Sequence, residues 1–400
     1  MNGNKKVILH LVFDGILFDA VYPRFERMEK YENRYLLDQL GKSQQIRYIK
    51  NTEKILIADT LDEWGKIISD KDVDIIYLHG LWQSYINAVD YIRDNVVVMW
   101  WCYGMEIYEN VHKWPPLLPL KIYKPKTYKF LIQNSTLLHA LNIVLSYSFP
   151  KIYVIIFSIY NLLKGNCNSK FTNFLSRIDF AFTPLPLELV EIKKKHKNIK
   201  ARPFKLQGLL EIKPLNIHKE PESILIEHSA NITNNHLDII AFIKKKRLNL
   251  NERDVYIPLS YGDNKLAERV KIEAKFPGAN VHCLMNVLPF NEYSVMMNSC
   301  SHAIYGMIRQ SGLGNIFLCF RKGIKVFFFK DSMLFKHFKS EGYHVFSIED
   351  DLNDISIKEP LTPEEAKNNY NIFFTKFGGD VGTYEQQFDK ILKVDRNDKY

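Results

Sequence analysis

Between residues 223 and 348, short apolar runs alternate with stretches striped at helical spacing, and no other feature constrains the fold as strongly. Ile224-Leu225-Ile226 ends in Glu227-His228-Ser229. A helical pattern follows from about Asn234, with Leu237, Ile240, Ala241 and Phe242 on one face. Val255 to Tyr261 predicts a second strand closed by Gly262-Asp263. Leu266, Val270 and Ala274 stripe the next helix, which Pro277-Gly278 stops. Val281–Leu284, Ala303–Met307, Lys325–Phe329 and Val345–Ile348 predict further strands. The helices between them are one behind Pro289 carrying Phe290, Tyr293, Met297 and Cys300, one opened by Ser311-Gly312-Leu313-Gly314 and ended by Gly323, and one marked by Phe335 and Phe338. Strands and helices joined by short connections in this way predict a doubly wound α/β domain, a parallel sheet with helices on both faces.

The first half repeats the pattern less cleanly. Val7–Phe13, Ile46–Lys50, Ile75–Leu78, Val96–Trp101 and Ile178–Thr183 read as strands; Leu61–Ser69, Tyr85–Arg93 and Leu187–Lys195 read as helices. A chain of 400 residues with 46% hydrophobic content supports two cores. The polar, proline-bearing stretch Lys213-Pro214 to Lys219-Glu220-Pro221 places the linker, giving domains 1–215 and 216–400.

One stretch departs from the pattern. Thr136 to Leu163 is mostly apolar, yet Pro150 and Lys151 interrupt it before either side reaches the roughly 20 residues needed to span a bilayer. Lys121, Lys124, Lys126 and Lys129 lie just upstream, interleaved with Tyr123, Tyr128 and Phe130. Two readings stand: an interfacial contact of the 120–165 segment with an anionic membrane, or a helical pair buried on the first sheet. The balance of 54 Lys+Arg against 45 Asp+Glu is compatible with nucleic acid, anionic lipid or a phosphate-bearing substrate, and does not choose among them. Five scattered cysteines, without a Cys-x-x-Cys pair, argue for a reducing compartment and against a disulfide frame or structural zinc. Lys5-Lys6 and the short run to Phe13, broken by Asp14, read as a first strand rather than a leader peptide, so a cytoplasmic enzyme is expected.

Ligands of an open parallel sheet bind beyond the carboxyl ends of its strands. That rule selects Ser229, Asn231 and Thr233 after the first strand of the second domain, where small polar groups and helix amides suit a phosphate, with plain helix capping as the alternative. It selects Tyr261-Gly262 after the second strand. It also selects Arg309-Gln310-Ser311-Gly312-Leu313-Gly314-Asn315 after the fourth, where a planar guanidinium, two glycines and a helix start suit a diphosphate. Phe317 stands where a dehydrogenase fingerprint has its third glycine. Asp72-Val73-Asp74 precedes a strand instead of ending one, so it reads as polar lead-in residues and no metal is expected there. In the first domain Asp14 and Glu106 end strands and are the acid–base candidates, with loop carboxylates as the alternative; His10 and His79 read as satisfied core histidines.

With these residues in view, the chain resembles the TDP-N-acetylfucosamine:lipid II N-acetylfucosaminyltransferase family, the 4-acetamido-4,6-dideoxy-D-galactose transferases. Ile226–His236, Pro258–Gly262, Leu288-Pro289-Phe290-Asn291-Glu292-Tyr293 and Arg309–Asn315 carry the likeness, with Gly104–Tyr108 and Phe13-Asp14 fainter; residues 110–220 contribute little. The resemblance implies a GT-B fold of two Rossmann-like domains facing a cleft, the first binding acceptor and the second binding nucleotide-sugar. It implies a TDP-sugar donor, an undecaprenyl-diphosphate-linked saccharide acceptor, and peripheral attachment to the cytoplasmic face of the bacterial inner membrane.

On that basis the expected reaction is metal-independent glycosyl transfer in surface-polysaccharide assembly (O-antigen, capsule or common antigen). No cofactor beyond the donor and no nucleic-acid partner are expected. Arg309, Gln310, Ser311, Gly312, Gly314, Asn315, Ser229 and Asn231 would hold the donor diphosphate. Tyr261, Gly262 and Glu292 would meet nucleoside or sugar, and Asp14 or Glu106 would serve the acceptor hydroxyl. The alternatives are a nucleotide-sugar epimerase of the same fold and a non-catalytic sugar-nucleotide-binding scaffold.

Overall fold

The structure is a computed structural model describing residues 5–38, 46, 49–50, 53–109, 116–163, 168–209, 212–217, 222–250 and 252–393. Two compact units divide the chain: Met1–Pro119, Tyr153–Ile212 and Lys376–Tyr400 in unit 1, Leu120–Ile152 and Lys213–Thr375 in unit 2. The expected boundary near 215 marks one crossing. The expectation of two contiguous domains needs correction at the others, because residues 120–152 pack with unit 2 and the described residues from 376 onward return to unit 1. Apolar stripes show that a helix is buried, not which sheet buries it.

Unit 1 opens with β1 (Lys6–Val12), α1 (Ile16–Phe25), β2 (Tyr31–Leu37), β3 (Ile55–Leu56), α2 (Leu61–Ile68), β4 (Val73–His79), α3 (Gln83–Asn87), β5 (Val97–Trp101) and α4 (Met105–Tyr108). The chain then runs through α5 (Pro125–Gln133), α6 (Leu137–Ser148) and α7 (Pro150–Leu163). It re-enters unit 1 at Tyr153 within α7 and continues as α8 (Asn168–Ser176), β6 (Phe180–Phe182), α9 (Pro186–Lys195) and β7 (Arg202–Pro203). The strands form one parallel sheet ordered β3-β2-β1-β4-β5-β6-β7.

The second strand is β2, not the expected Ile46–Lys50, of which the described residues are coil and Arg47 and Tyr48 lie outside the described set. Glu32, Asn33 and Arg34 hide β2 from an apolar-run reading. Each polar group has a partner: Arg34 pairs with Glu32 and Asp70, and Asn33 bonds His10. Asp74 accepts from the Val7 amide (2.9 Å) and Lys6 (2.8 Å), so this half of the Asp-x-Asp sequence joins β4 to β1.

Unit 2 contains β8 (Ser223–Ile226), α10 (His236–Lys246), β9 (Asp254–Pro258), α11 (Asn264–Glu273), β10 (Asn280–Leu284), α12 (Phe290–Ser299) and β11 (Cys300–Tyr305). After these come α13 (Leu313–Lys322), β12 (Lys325–Phe328), α14 (Met333–Ser340), β13 (Phe346–Ser347) and α15 (Pro363–Phe377). The sheet is parallel throughout and ordered β10-β9-β8-β11-β12-β13. The first strand of each sheet is thus central, and the order of strand addition reverses between β1 and β4 and between β8 and β11. In unit 2 the core is Ile224, Ile226, Ile239, Ile240, Val255, Ile257, Leu266, Val270, Ile304 and Phe327, matching the sequence stripes. The final helix, α16 (Val381–Lys393), buries Tyr384 and Phe388 against Tyr77, Phe25 and Phe204 of unit 1.

The apolar 136–163 stretch is not the buried pair of one reading. Leu137, Leu138 and Leu141 on α6 are 76, 80 and 57% exposed, and Ile155, Ile159 and Leu163 on α7 are also exposed. A Leu or Ile left in water forgoes about 1.5–3 kcal/mol of burial, so each of the two helices keeps an exposed apolar face at a cost. Among the described residues no helix is long and apolar enough to cross a membrane. Cys102, Cys300 and Cys319 are buried and Cys283 half-buried, all as free thiols; Cys167 lies outside the described residues.

Candidate functional site

In unit 2 three loops meet where β8 and β11 part. Glu227, directly after β8, has a left-handed backbone (φ 63°) and a fully buried side chain. A non-glycine residue held so within a core stores about 1–3 kcal/mol of strain, a feature concentrated at functional sites. Its Oε1 accepts from the Gly306 amide beyond β11, and its Oε2 lies 3.3 Å from His228 Nδ1. Burial pushes the Glu227 carboxyl up, with His228 acting in the opposite direction. The His228 ring lies under Gly312: a Cβ there would fall 2.6 Å from its Cε1, and φ 60° at Gly312 also excludes most side chains. The β8 loop and the Arg309–Asn315 loop are therefore in direct contact.

The β9 loop joins them through backbone. The Ala230 amide donates to the Tyr261 carbonyl (2.7 Å) and the Asp263 amide to the Ala230 carbonyl (2.9 Å). Gly262 (φ 126°) is required, since a Cβ would stand 2.4 Å from the Ala230 carbonyl carbon and oxygen. Tyr261 beside it is 61% exposed.

The other expected residues fall as follows. Ser229 is buried, and Asn234 Nδ2 donates to its carbonyl (2.8 Å) and hydroxyl (3.2 Å). Asn231 Oδ1 accepts from the Thr233 amide and hydroxyl (3.0 and 2.8 Å), so it caps the turn Ile232–Asn234. Arg309 is buried, with Nη1 donating to the Gln310 carbonyl (2.7 Å). Gln310 is buried as well, and its Oε1 has no hydrogen-bond partner. Ser311 is half-buried. Gly314 faces open space, with nothing within 4 Å of a Cβ. Asn315 Oδ1 accepts from the Tyr293 hydroxyl (2.6 Å), tying the loop to α12, where Glu292 is exposed in the first turn. α13 begins at Gly312 without a side-chain cap, which leaves its first amides and its dipole for an anion.

Sequence reasoning missed four members: Glu227, His228, Asn235 and His236. Asn235 (φ 53°) sits between loops, its Nδ2 donating to the carbonyls of Ile122, Thr233 and Gly306. His236 opens α10 fully buried with both ring nitrogens unpartnered, and burial, then His228, pushes it down to about 3. The available signal was a Glu-His pair abutting a fully apolar run, because buried ionisable groups gather where ligands bind.

In unit 1 the acid–base candidates hold backbone. Asp14 Oδ1 accepts from the Ile49 amide (3.0 Å). Glu106 is buried, and its Oε1 accepts from the Tyr103 amide (2.9 Å) and Trp100 Nε1 (3.2 Å); burial pushes its carboxyl up, against the pull of these bonds. His10 and His79 form a buried chain. Asn33 Nδ2 donates to the Phe25 carbonyl, which turns its Oδ1 toward His10 Nε2 (2.9 Å). His10 Nε2 must then carry the proton and Nδ1 must accept from His79 Nε2 (3.1 Å), so Tyr103 donates to His79 Nδ1 (2.9 Å). Burial pushes His10 down to about 3 and His79 well below its ordinary value, consistent with neutral rings.

Comparisons with known proteins agree with this architecture. The Anabaena Alr3699/HepE structure with UDP and glucose superposes with a TM-score of 0.54 at 9% identity, covering 97% of this chain and 99% of that one. Trehalose-6-phosphate synthase OtsA gives 0.55 at 9% identity over 98% and 99%. The chain spans only 57% of the TarM structure it also matches, at TM-score 0.48 and 11% identity over 84% of this chain. At such identities the likeness speaks for the fold, two Rossmann-like domains of GT-B type. The sequence pattern of the 4-alpha-L-fucosyltransferase glycosyl transferase group 56 family matches residues 184–393, more than half of the chain. The chain therefore belongs to the 4-alpha-L-fucosyltransferase glycosyl transferase group 56 family.

Proposed function

We propose that this glycosyltransferase moves a 4-acetamido-4,6-dideoxygalactose-like sugar from a TDP donor to an undecaprenyl-diphosphate-linked saccharide at the cytoplasmic surface of the bacterial inner membrane, in the assembly of a surface polysaccharide. The carrying observation is the meeting of buried Arg309, the Glu227–His228 pair and the uncapped start of α13 at the β8/β11 reversal. A guanidinium and oriented amides at a largely buried site suit the charge that builds on a departing diphosphate. The fucosyl chemistry in the family's description fits a 6-deoxy sugar.

In the reaction, the acceptor hydroxyl oxygen bonds to the anomeric carbon as the bond from that carbon to the diphosphate oxygen breaks. TDP leaves with the electron pair, and the hydroxyl proton passes to a carboxylate, Asp14 or Glu106. Arg309, His228 and the α13 amides hold the diphosphate, Gly314 gives it room, and Tyr261 and Glu292 contact nucleoside or sugar.

Calorimetry with TDP and UDP, followed by transfer assays on membrane extracts with product mass as readout, tests the reading. TDP is expected to bind, and Arg309→Ala to lower transfer about 100- to 1000-fold. A wild-type chain that binds neither nucleotide would reject it.

A further inference from the structure

α5 is held on α10 by directed bonds. Asp238, in the first turn of α10, accepts from the amides of Lys126 (2.8 Å) and Thr127 (2.9 Å) and from the Thr127 hydroxyl (2.7 Å). Asn235 Oδ1 accepts from the Lys124 amide (2.8 Å). Tyr147 of α6 stacks on Tyr128 of α5 (centroids 4.5 Å apart) and donates to the Tyr123 carbonyl, so α6 is fixed to the same helix.

Beside this joint, α5, α10 and α11 line a groove of about 1050 Å³. Lys126, Lys129, Lys244, Lys265 and Arg269 face it, against Glu268 and Glu273. Arg269 is taken by Glu273 (2.5 Å); among the described residues none of the four lysines has an ion pair. The other two upstream lysines are occupied elsewhere: Lys124 pairs with Asp331 (2.9 Å), and Lys121 lies over the Tyr147 ring. The basic character of the sequence run is thus split by the fold, and its unpaired half is joined by cations more than a hundred residues away.

Gln133 and Asn134 line the groove, and α6 begins three residues later with Leu137 and Leu138 almost fully in water. Unpaired cations adjoining bare leucines match the two layers of a bilayer surface, phosphate outside and acyl chain beneath.

We propose that this groove and the start of α6 form one docking surface for an anionic bilayer, with the lysines on lipid phosphates and the leucines among acyl chains. The inference rests on the membrane-surface reading above and names the residues that serve it.

Co-sedimentation of the full chain with phosphatidylglycerol/phosphatidylethanolamine vesicles, against phosphatidylcholine vesicles, tests it. Binding is expected to the anionic vesicles only and to weaken with salt. Lys126→Glu with Lys129→Glu should lower partitioning about twentyfold or more. Lys244→Gln with Lys265→Gln, exposed and remote in sequence, should lower it in the same direction with TDP affinity unchanged, and Leu137→Gln with Leu138→Gln should release the protein. A wild-type chain indifferent to vesicles overturns the membrane reading and this inference together. Wild-type binding that the groove variants retain overturns the groove alone. Full displacement by inorganic phosphate, or tighter binding to a single-stranded oligonucleotide than to vesicles, overturns the lipid as occupant.

Discussion

The two sheets share a strand order around their first strands, yet they treat their reversal points differently. In unit 1 the polar side chains near the β1/β4 reversal satisfy one another: Asn33, His10, His79 and Tyr103 form a single directed chain inside an aromatic cage of Phe25, Tyr35 and Tyr77. In unit 2 the β8/β11 reversal keeps both ring nitrogens of His236, Asn234 Oδ1 and Gln310 Oε1 buried without a hydrogen-bond partner. Each such atom costs about 1–3 kcal/mol relative to a satisfied one. Unit 1 closes its histidine chain, although the Tyr85 hydroxyl and Ser84 Oγ on α3, just after β4, are also buried without a partner. The difference is that in unit 2 the unmet atoms belong to the loops after β8 and β11, which touch at Gly312, and this makes that end the candidate for a polar ligand.

The largest effect is expected where the unit 2 loops are forced together. Gly262→Ala sets a Cβ 2.4 Å from the Ala230 backbone at φ 126°, and rigid backbone cannot yield as a side-chain tip would. A loss of about 3 kcal/mol or more in unfolding free energy, together with loss of TDP binding, is expected. Denaturant unfolding and calorimetry on the same preparation read both. Full stability in this variant would break the account of three loops joined through Ala230.

An intermediate effect sharpens the unit 1 side. Glu106 has its carboxyl raised by burial, so the folded chain holds the proton more tightly than the unfolded one. Its contribution favours the folded state below the ordinary carboxyl range, and is lost as pH rises through that range to the folded value. Glu106→Gln keeps an oxygen for Tyr103 and Trp100 but removes the buried charge. The variant is therefore expected to match wild type in acid and to exceed its stability increasingly toward neutral pH, as melting curves across pH 4–8 would record. If Glu106 is the acceptor's base, transfer falls in the same variant while TDP affinity holds. If transfer is unaffected, Glu106 belongs with the satisfied groups of unit 1, and Asp14 alone stands as base.

The same contrast explains what was legible in advance. Unit 2 could be read nearly strand by strand because its sheet is buried on both faces, so Ile224–Ile226 and its counterparts appear as bare apolar runs. β2 was not legible, because Asn33 and Arg34 spend polar side chains on partners 23 and 36 residues away. Arg309 and the glycines could be nominated as candidates from chain chemistry alone. Glu227 and His228 could not, since their meaning depends on a positive φ and on Gly306 arriving from β11. Residues 120–152 and α16 betray burial or exposure in their stripes but carry no mark of the unit that receives them.

The smallest effect on stability is the most discriminating for the site. Gly314 lies in the first turn of α13, has nothing within 4 Å of a Cβ, and needs no positive φ. Protein packing gives no reason for glycine there. By helix propensity Gly314→Ala should raise stability by about 0.5–1 kcal/mol. If the diphosphate approaches this backbone, the added methyl group should still weaken TDP binding, with a measurable rise in Kd by calorimetry. Opposite signs for stability and affinity, from one methyl group with no protein neighbour, would locate the ligand at the helix start. A stabilised variant with unchanged TDP affinity would move the diphosphate away from α13 and leave Arg309 and His228 to hold it.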